Sequence, residues 1–172
     1  LYYTAKIARQ FADKHGADLI VSSDSEAILD VARNCGLPTE YKRPAYLADD
    51  ICGKPDAIRD AMLWGEAQRG KQYDMVVDLD VTSPIRTMHD IDQSLEMIEN
   101  CPEALTIFSV SPCGRNPYFS MVQKKENGFY GTVCDGKFTS RQTSPTVYDM
   151  NGSIYVYRRE ALLPEHPRAV TD

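Results

Sequence analysis

Hydrophobic positions along the chain follow two spacings, one helical and one typical of short buried strands. Apolar residues at helical spacing predict a series of helices, and capping residues and glycines mark their ends. In chain order the helices are Tyr2 to His15, a segment opened by a Ser23–Glu26 capping box and closed by Gly36, a segment from Pro55 to about Gly70, and a segment opened by Thr87 with Asp90 as its cap. Continuous apolar runs predict the buried strands Leu19 to Val21, Met75 to Leu79 and Ala104 to Val110.

This alternation of strands and helices predicts a three-layer α/β fold. Helices would cover both faces of a mostly parallel sheet through right-handed crossovers. The chain has 172 residues, of which 42% are hydrophobic, and this is enough to bury one core. We therefore expect residues 1–172 to form a single globular domain.

After Ser111 the pattern changes to short alternating segments, which are typical of antiparallel strands. The segments are Phe119 to Lys124, Phe129 to Val133 and Ser153 to Tyr157, and between them stand two predicted hairpin turns, Asn127-Gly128 and Asp135-Gly136. Such a β-hairpin excursion leaves apolar side chains on too little sheet to bury them. We therefore predict that it forms the interface of a homodimer.

The stretch from Tyr73 to Arg86 joins a predicted buried strand to a polar loop. Asp78 and Asp80 interrupt the apolar run at period two, so both carboxylates point to one side of the sheet. Ligands bind beyond the carboxyl ends of strands in open α/β sheets. The loop adds two hydroxyls and a cation, on Thr82, Ser83 and Arg86. We expect a functional site here, and the simpler alternative is a pair of solvated carboxylates where a strand surfaces.

Composition narrows the classes of partner. The net charge is −6 and the basic residues are dispersed, which argues against a nucleic-acid surface. The five cysteines form no metal-binding spacing and suit a reducing cytoplasm. No apolar run approaches the roughly 20 residues of a membrane span, and no signal peptide is recognisable. The chain starts without methionine and inside a helical pattern, so we expect a piece of a longer protein.

Nucleophilic hydrolysis is poorly supported, because the chain has no nucleophile-elbow, Walker or dinucleotide-binding motif. The histidines fall at predicted surface positions, His15, His89 and His166. Residues 37–54 form a long segment without periodicity, which is typical of a binding loop, and this loop carries Arg43 and Lys54. Carboxylates at a strand end beside such a basic loop suit phosphoryl or nucleotidyl transfer, in which a divalent ion and basic side chains neutralise developing charge.

Several short motifs, in order and at similar spacing, resemble the acylneuraminate cytidylyltransferases, the family of CMP-sialic acid synthetases. They are Val21-Ser22-Ser23-Asp24, Arg43-Pro44-Ala45 with Leu47-Ala48-Asp49-Asp50, Thr82-Ser83-Pro84-Ile85-Arg86, Asn116-Pro117-Tyr118, Arg141-Gln142 and Asn151-Gly152-Ser153-Ile154-Tyr155. The resemblance implies a nucleotidyltransferase α/β fold and a homodimer built on the hairpins. It also implies Mg²⁺-dependent attack of a sugar-acid hydroxyl on the α-phosphate of CTP, with release of pyrophosphate.

The resemblance also suggests roles for individual residues. Those suggested for the nucleotide are Arg43 and the loop up to Lys54, with Asp50, Cys52 and Lys54, and those for the active-site loop are Thr82 and Ser83. Asp80 and Arg86 join them as catalytic candidates because of their positions at the strand end. Those suggested for the sugar acid are Arg141, Tyr155 and Asn151, although the Asn-Gly pair that contains Asn151 is also simply a good turn. We predict Mg²⁺ at Asp78 and Asp80, and the competing interpretation is that Asp80 meets the acceptor instead.

Four positions depart from the family pattern. Asp80 replaces a glutamine, Val81 a proline, Phe119 a lysine and Asp149 an arginine. We therefore predict an acceptor that keeps a carboxylate, read by Arg141, but differs from N-acetylneuraminic acid near Asp80, Phe119 and Asp149. The family's N-terminal phosphate-binding strand and loop and its C-terminal acidic pair have no counterpart in this sequence.

Two other functions stay open at this point. One is a nucleotidyltransferase with a different base or acceptor. The other is a non-catalytic paralogue that binds a sugar nucleotide or only forms a dimer.

Overall fold

The computed structural model describes residues 1–49, 51–164 and 167–170. The helices are α1 (Tyr2–His15), α2 (Glu26–Asn34), α3 (Lys54–Arg69), α4 (Met88–Glu99) and α5 (Arg159–Leu162), with a 3-10 turn at Ala45–Leu47. The strands are β1 (Met75–Leu79), β2 (Thr106–Pro112), β3 (Val122–Lys124), β4 (Tyr130–Thr132) and β5 (Tyr148–Arg158). The chain separates into two compact units: a sheet unit, Leu1–Ser109 with Gly152–Asp172, and a hairpin unit, Val110–Asn151.

The sheet unit contains three strands in the order β1-β5-β2. β1 and β5 are antiparallel, with Met75 opposite Arg158 and Leu79 opposite Ile154. Leu105 O accepts from Arg158 N, and Ser109 Oγ accepts from Ile154 N, so the chain that leads into β2 also runs antiparallel to β5. The α/β class is confirmed. The expected mostly parallel pairing is not what these strands form, because β5 inserts between two strands that share one direction.

Side chains alternate along β5 and separate two hydrophobic clusters. Ile154 and Val156 pack towards α1 and α4, on Phe11, Ile91 and Ile98. Tyr155 and Tyr157 pack towards α3 and α5, on Met62, Ala161 and Leu162. Helices therefore cover both faces of the sheet, as the three-layer prediction requires. Burying a large apolar side chain contributes about 1.5–3 kcal/mol. β5 supplies buried side chains to both clusters and therefore stabilises both sides of the core.

Helix α4 is held at both ends by side chains. Thr87 Oγ1 accepts from Asp90 N and the Asp90 carboxylate accepts from Thr87 N, which confirms the predicted capping box. At the other end Arg158 donates to Ile98 O at 2.6 Å and to Ala104 O at 2.9 Å. No basic residue stands in the last turn of α4 itself, so Arg158 of β5 supplies the cation that favours a helix C-terminus.

Two expectations for the first part of the chain are wrong. Helix α2 begins after Ser25, and Ser23 Oγ accepts from Ser25 N at 3.2 Å, so Ser23 forms a local turn and not the predicted capping box. Glu26 instead forms an ion pair with Arg33, which lies two turns further along the same face of α2. Leu19 to Val21 form no strand, because no strand in the described part of the chain hydrogen-bonds to them.

The hairpin unit contains the antiparallel pair β3–β4, in which Val122 faces Thr132. Its turn contains Gly128 at φ 83°, as Asn127-Gly128 predicts. The second predicted hairpin turn, Asp135-Gly136, is wrong. The preceding residues Val133 and Cys134 donate their N–H groups to Met121 O and Pro117 O, and no strand is formed over residues 133–147.

Asn116 is the central polar residue of the hairpin unit and is only 6% exposed. Its Nδ2 donates to Ser144 Oγ at 3.1 Å and Pro145 O at 2.8 Å, and its Oδ1 accepts from Tyr118 N at 2.9 Å. The Asn-Pro-Tyr motif therefore ties residues 116–120 to residues 144–145 and has a clear structural role.

None of the helices in the described ranges is long and apolar enough to cross a membrane. His15 pairs with Asp92 on the surface and His89 is exposed, as predicted. His166 lies outside the described residues.

Candidate active site at the end of strand β1

Two carboxylates and an ammonium group meet where β1 ends. Lys54 Nζ lies 2.6 Å from Asp78 Oδ2 and 3.2 Å from Asp80 Oδ2. Asp78 and Asp80 are two residues apart on an extended chain, so they project from the same face of the sheet. Helix α3 covers that face, and Lys54 is its first residue. The strand spacing and the packing of α3 together bring these three charges into contact.

Two tyrosine side chains of β5 pack beside this cluster. Lys54 Nζ lies 4.8 Å from the centre of the Tyr155 ring, which is a cation–π geometry. Tyr155 stacks on Tyr157, with ring centres 6.0 Å apart. Burial and the charge of Asp78 raise the pKa of Tyr157, so its hydroxyl stays protonated. That hydroxyl is buried and has no hydrogen-bond partner among the described residues.

Asp80 also organises the loop that follows the strand. Its Oδ1 accepts from Thr82 N at 2.9 Å and from Thr82 Oγ1 at 2.8 Å, while its Oδ2 faces Lys54. Burial alone would raise the pKa of Asp80, but the hydrogen bonds from Thr82 and the charge of Lys54 lower it below its usual value. Asp80 is therefore a carboxylate at neutral pH.

Arg86 hydrogen-bonds the loop that follows β1 and links it to β5. Its Nη2 donates to the backbone oxygens of Asp80 and Ser83, and its Nε donates to Ser153 Oγ at 3.1 Å. Burial lowers the pKa of Arg86, and the nearby Asp80 and Asp78 partly offset this effect. Its Nη1 is buried without a hydrogen-bond partner in the described structure. These contacts give Arg86 the role of positioning the loop, and its predicted catalytic role stays a prediction.

The four charged groups of the cluster balance one another, with two carboxylates against Lys54 and Arg86. Burial alone would lower the pKa of Lys54, but Asp78 and then Asp80 raise it above its usual value. Lys54 is therefore a permanent cation at neutral pH, and it stands at a helix N-terminus, where a positive charge is unfavourable. The two carboxylates provide the compensating interaction.

Comparison with known proteins shows which proteins this chain resembles. No protein-family model matches the chain. The post-translational flagellin modification protein B of Campylobacter coli is 37% identical over 145 residues, which are 84% of this chain and 61% of that protein. The CMP-N,N'-diacetyllegionaminic acid synthase of Campylobacter jejuni subsp. jejuni serotype O:2 is 36% identical over 145 residues, with the same coverage of 84% and 61%. The chain thus spans about 61% of the length of these curated relatives.

These relatives, together with the sequence motifs, support the CMP-sialic-acid-type cytidylyltransferase family. The family resemblance of the sequence motifs is thereby confirmed. A solved structure agrees at the level of the fold: a CMP:2-keto-3-deoxy-manno-octonic acid synthetase complexed with CTP matches with a TM-score of 0.53 at 13% identity, over 92% of this chain and 68% of that one.

The described residues that were predicted to bind nucleotide lie in the sheet unit, but not at one point. Arg43 donates through Nε to Ser22 Oγ at 3.0 Å and through Nη2 to Ser22 O at 2.8 Å, so it rests on the Val21–Asp24 motif. Lys54 lies in the carboxylate cluster instead. Cys52 N donates to Asp49 Oδ1 at 2.7 Å, which fixes the turn between them. Asp50 lies outside the described residues.

Four of the predicted sugar-binding residues lie in the hairpin unit. Arg141 is exposed and donates to Gly114 O, while Asp149 Oδ1 accepts from Cys113 Sγ at 3.2 Å, so both contact the same short segment. Asn151 Nδ2 donates to Ser111 Oγ at 3.0 Å, and Phe119 is 42% exposed. The fifth, Tyr155, lies in the sheet unit beneath Lys54.

The family's Asn-Gly pair has a different place from the one expected. Asn151 and Gly152 lie within β5 and not in a turn before it. Gly152 has φ 70°, and a Cβ built on it would lie 4.0 Å from Asp80 Oδ2. A left-handed glycine inside a strand kinks the backbone, so Gly152 shapes the strand next to Asp80.

Sequence reasoning missed two members of the cluster, Ser153 and Tyr157. Ser153, Tyr155 and Tyr157 alternate along β5, so they share a face by the same period-two rule that linked Asp78 and Asp80. That pattern was the available signal. The contact of Lys54 with Asp78 and Asp80 was also not predicted, because it joins residues 24 and 26 positions apart through the packing of α3.

Among the described residues, Asp78 and Asp80 are the ligands that this cluster offers to a metal ion. Within the described ranges no group of three or more His, Cys, Asp or Glu side chains converges. The two carboxylates are hard oxygen ligands, and Mg²⁺ commonly takes one or two carboxylates and completes its shell with phosphates and water. The ligand chemistry therefore fits Mg²⁺, and Lys54 stands between the two oxygens.

A separate cavity of about 170 Å³ lies elsewhere in the sheet unit. It is lined by residues that include Asp18, Tyr41, Trp64 and Tyr73. Burial and a hydrogen bond to Asp18 raise the pKa of Tyr73 to about 12. Asp18 already contacts Tyr73 and Lys71, so its carboxylate is paired within the cavity wall.

Proposed function

We propose that this chain is part of an enzyme that transfers CMP from CTP to an acidic sugar and releases pyrophosphate. The observation that carries the proposal is the cluster of Lys54, Asp78, Asp80 and Thr82 at the carboxyl end of β1. It occurs in a chain that is 36% identical to a CMP-N,N'-diacetyllegionaminic acid synthase over 84% of its length. The cluster combines charges of both signs at a strand end, as nucleotidyl transfer requires.

In this reaction a hydroxyl oxygen of the sugar acid bonds to the α-phosphorus of CTP, and the bond from that phosphorus to the bridging oxygen of the β-phosphate breaks. The hydroxyl proton passes to solvent water, and pyrophosphate carries away the electron pair of the broken bond. Lys54 supplies a cation for the phosphates, and Ser83 supplies a hydroxyl on a loop that Arg86 positions. The Thr82 hydroxyl donates to Asp80 and orients that carboxylate. Positioning of this kind is the main contribution of a protein to phosphoryl chemistry.

We propose that Asp78 and Asp80 hold Mg²⁺ together with the nucleotide phosphates. When bound, the ion would neutralise charge on the phosphates and orient them. We further propose that Arg43 and the residues up to Lys54 select the cytosine base. Burial, with the nearby Asp56 and Asp49, raises the pKa of the Cys52 thiol, so this loop presents a neutral thiol beside the arginine.

For the acceptor we propose a sugar acid whose carboxylate is bound by Arg141, whose planar guanidinium suits a carboxylate. Asp149 and Phe119 disfavour a further negative charge and favour a less polar substituent. The N,N'-diacetylated acid named for the Campylobacter jejuni relative is the first candidate, since its acetyl groups carry methyls. We also propose a homodimer that uses the exposed apolar face of the hairpin unit.

Pyrophosphate release by the intact protein tests the proposal directly. CTP, UTP, ATP and GTP would be combined with N,N'-diacetyllegionaminic acid, N-acetylneuraminic acid and 3-deoxy-manno-octulosonic acid, in the presence of Mg²⁺. We expect CTP and the diacetylated acid to be the best pair. Asp80→Asn should lower kcat/KM by about 100-fold and raise the Mg²⁺ requirement, whereas the exposed Asp30→Asn should change neither.

The other outcomes are informative. Equal turnover with ATP or GTP would favour a nucleotidyltransferase with a different base. CTP binding without turnover of any sugar acid would favour a non-catalytic paralogue. If N-acetylneuraminic acid is the best acceptor, the roles given to Phe119 and Asp149 are wrong.

A further inference from the structure

Lys54 occupies the position between the two carboxylates that a metal ion would need. Its ammonium is 2.6 Å from Asp78 Oδ2 and 3.2 Å from Asp80 Oδ2, and both carboxylates are mostly shielded, with side chains 21% and 28% exposed. An ammonium ion at these distances satisfies the charge of both oxygens. A divalent cation that binds both oxygens must therefore displace it.

The surroundings of Lys54 favour this resting position. The Tyr155 ring supports the ammonium from below at 4.8 Å. Asp78 Oδ2 receives no hydrogen bond from any other described side chain or backbone group, so Lys54 is its direct ion-pair partner in the described structure. Nevertheless the Lys54 side chain is 42% exposed, and it can rotate towards solvent or towards a ligand.

We propose that Lys54 is a resident counter-ion that competes with divalent metal for Asp78 and Asp80, so that the metal binds these carboxylates only when Lys54 leaves them. This inference rests on the proposed function, because it concerns the proposed metal site of the same reaction. The phosphates of a bound nucleotide offer Lys54 an alternative anionic partner. Binding of nucleotide and of metal at these carboxylates is therefore coupled through one side chain.

The metal affinity depends on how often Lys54 is away from the two carboxylates. A site whose competent state is only a small fraction of the total binds its ligand more weakly by that fraction. As long as Lys54 bridges the two carboxylates, the fraction ready for metal is small. Removal of the ammonium makes the fraction large and also removes the repulsion between Lys54 and the metal.

The test uses Mn²⁺ as the probe in place of Mg²⁺, with binding to the intact protein followed by electron paramagnetic resonance in the absence of nucleotide. Lys54→Met keeps the aliphatic chain over Tyr155 and removes the charge. We expect it to bind Mn²⁺ at least about tenfold more tightly than wild type. The double variant Lys54→Met with Asp80→Asn should lose this gain.

Lys71→Met is a matched control. Lys71 also pairs with an aspartate, Asp18 at 2.9 Å, and also lies over a tyrosine ring, Tyr73 at 5.4 Å. It has one carboxylate partner in place of two and lies outside the carboxylate cluster. Lys71→Met should therefore bind Mn²⁺ as wild type does.

The proposal is overturned if Lys54→Met and Lys54→Gln, both shown to be folded by circular dichroism, bind Mn²⁺ no more tightly than wild type. It is equally overturned if Lys71→Met gives the same gain as Lys54→Met. If wild type releases pyrophosphate but Lys54→Met binds Mn²⁺ no more tightly than wild type, only this inference is contradicted. If Lys54→Met gains Mn²⁺ affinity but wild type releases no pyrophosphate, only the proposed reaction is contradicted.

Discussion

At the scale of single residues, the side chains at the end of β1 depend on one another. Asp80 faces Thr82 with one oxygen and Lys54 with the other, so it links the loop to α3. Arg86 binds the backbone of the same loop and Ser153 of β5. A change at one of these positions therefore alters the position of the others. Short-range pairs such as Asp80 and Thr82 are readable from the sequence, whereas the contact with Lys54 exists only after folding.

Arg86→Lys should loosen the loop without removing a positive charge. Lysine cannot reproduce the planar fork that reaches Asp80 O, Ser83 O and Ser153 Oγ together. We expect a loss of about 1–3 kcal/mol of stability and faster amide hydrogen exchange at Thr82 and Ser83. Hydrogen exchange followed by mass spectrometry or NMR measures the second effect.

Arg33→Lys serves as the comparison, because Arg33 pairs with Glu26 and Asp30 on an exposed helix face. It should leave both stability and loop exchange close to wild type. Unchanged exchange at residues 82–83 in Arg86→Lys would show that the loop does not depend on the guanidinium.

At the scale of elements, the sequence predicted those whose signals are local. The α4 cap at Thr87 and Asp90 is correct because the capping box is complete within four residues. The Leu19 to Val21 strand is wrong because a strand needs a partner, and partners are not visible in a local pattern. Ser153 to Tyr157 was correctly predicted as an antiparallel segment, but its position between β1 and β2 was missed for the same reason. The hydrophobic run predicted the existence of β1 but could not predict its neighbours.

An ion pair between α3 and the start of α5 provides a prediction on pH. The Glu66 carboxylate accepts from Arg159 Nε at 2.6 Å and Nη2 at 3.0 Å, and also from Tyr73 N. Arg159 lowers the pKa of Glu66 below its ordinary 4.5, and this outweighs the opposing effect of burial. Because the folded pKa is lowered, the stabilisation is present above pH 4.5 and is lost as the pH falls through the folded pKa.

Glu66→Gln should therefore be less stable than wild type by about 1 kcal/mol at pH 7, a value reduced for the partial exposure of Arg159. The difference should shrink as the pH falls below about 4.5. Urea unfolding at a series of pH values measures it. Glu26→Gln, which breaks a solvent-exposed pair, should have a much smaller effect at every pH. A Glu66→Gln difference that does not depend on pH would contradict the assignment.

At the scale of the whole molecule, the family resemblance came from motifs spread over nearly the whole chain, and several of these motifs have a physical role in the structure. Asn116 binds Ser144 and Pro145, Arg43 binds Ser22, and Gly152 bends β5 beside Asp80. The motif order therefore predicted the fold well. The sugar specificity was not determined in this way, because Arg141, Asp149 and Phe119 are surface residues of the hairpin unit, and side chains of this kind are set by the ligand and not by packing.

The last prediction concerns the assembly. β3 and β4 form a two-stranded hairpin, which is marginally stable alone in water. By the strand register, Val122 and Tyr130 lie on one face of the hairpin together with Lys124 and Thr132, and the two apolar side chains are 60% and 70% exposed. We expect the intact protein to sediment as a dimer at micromolar concentration, with this face buried. Val122→Lys should raise the dissociation constant at least about tenfold, because a charge would enter an apolar contact.

Gln123→Lys is the matched control, since Gln123 neighbours Val122 on the same strand and points to the opposite face. It should leave the dissociation constant nearly unchanged. A wild-type protein that sediments as a monomer at micromolar concentration would refute the dimer. If Gln123→Lys dissociates as readily as Val122→Lys, the interface lies elsewhere. A contact on the face of Val122 would be disturbed by the change at residue 122 and not by the change at residue 123, which points to the other face.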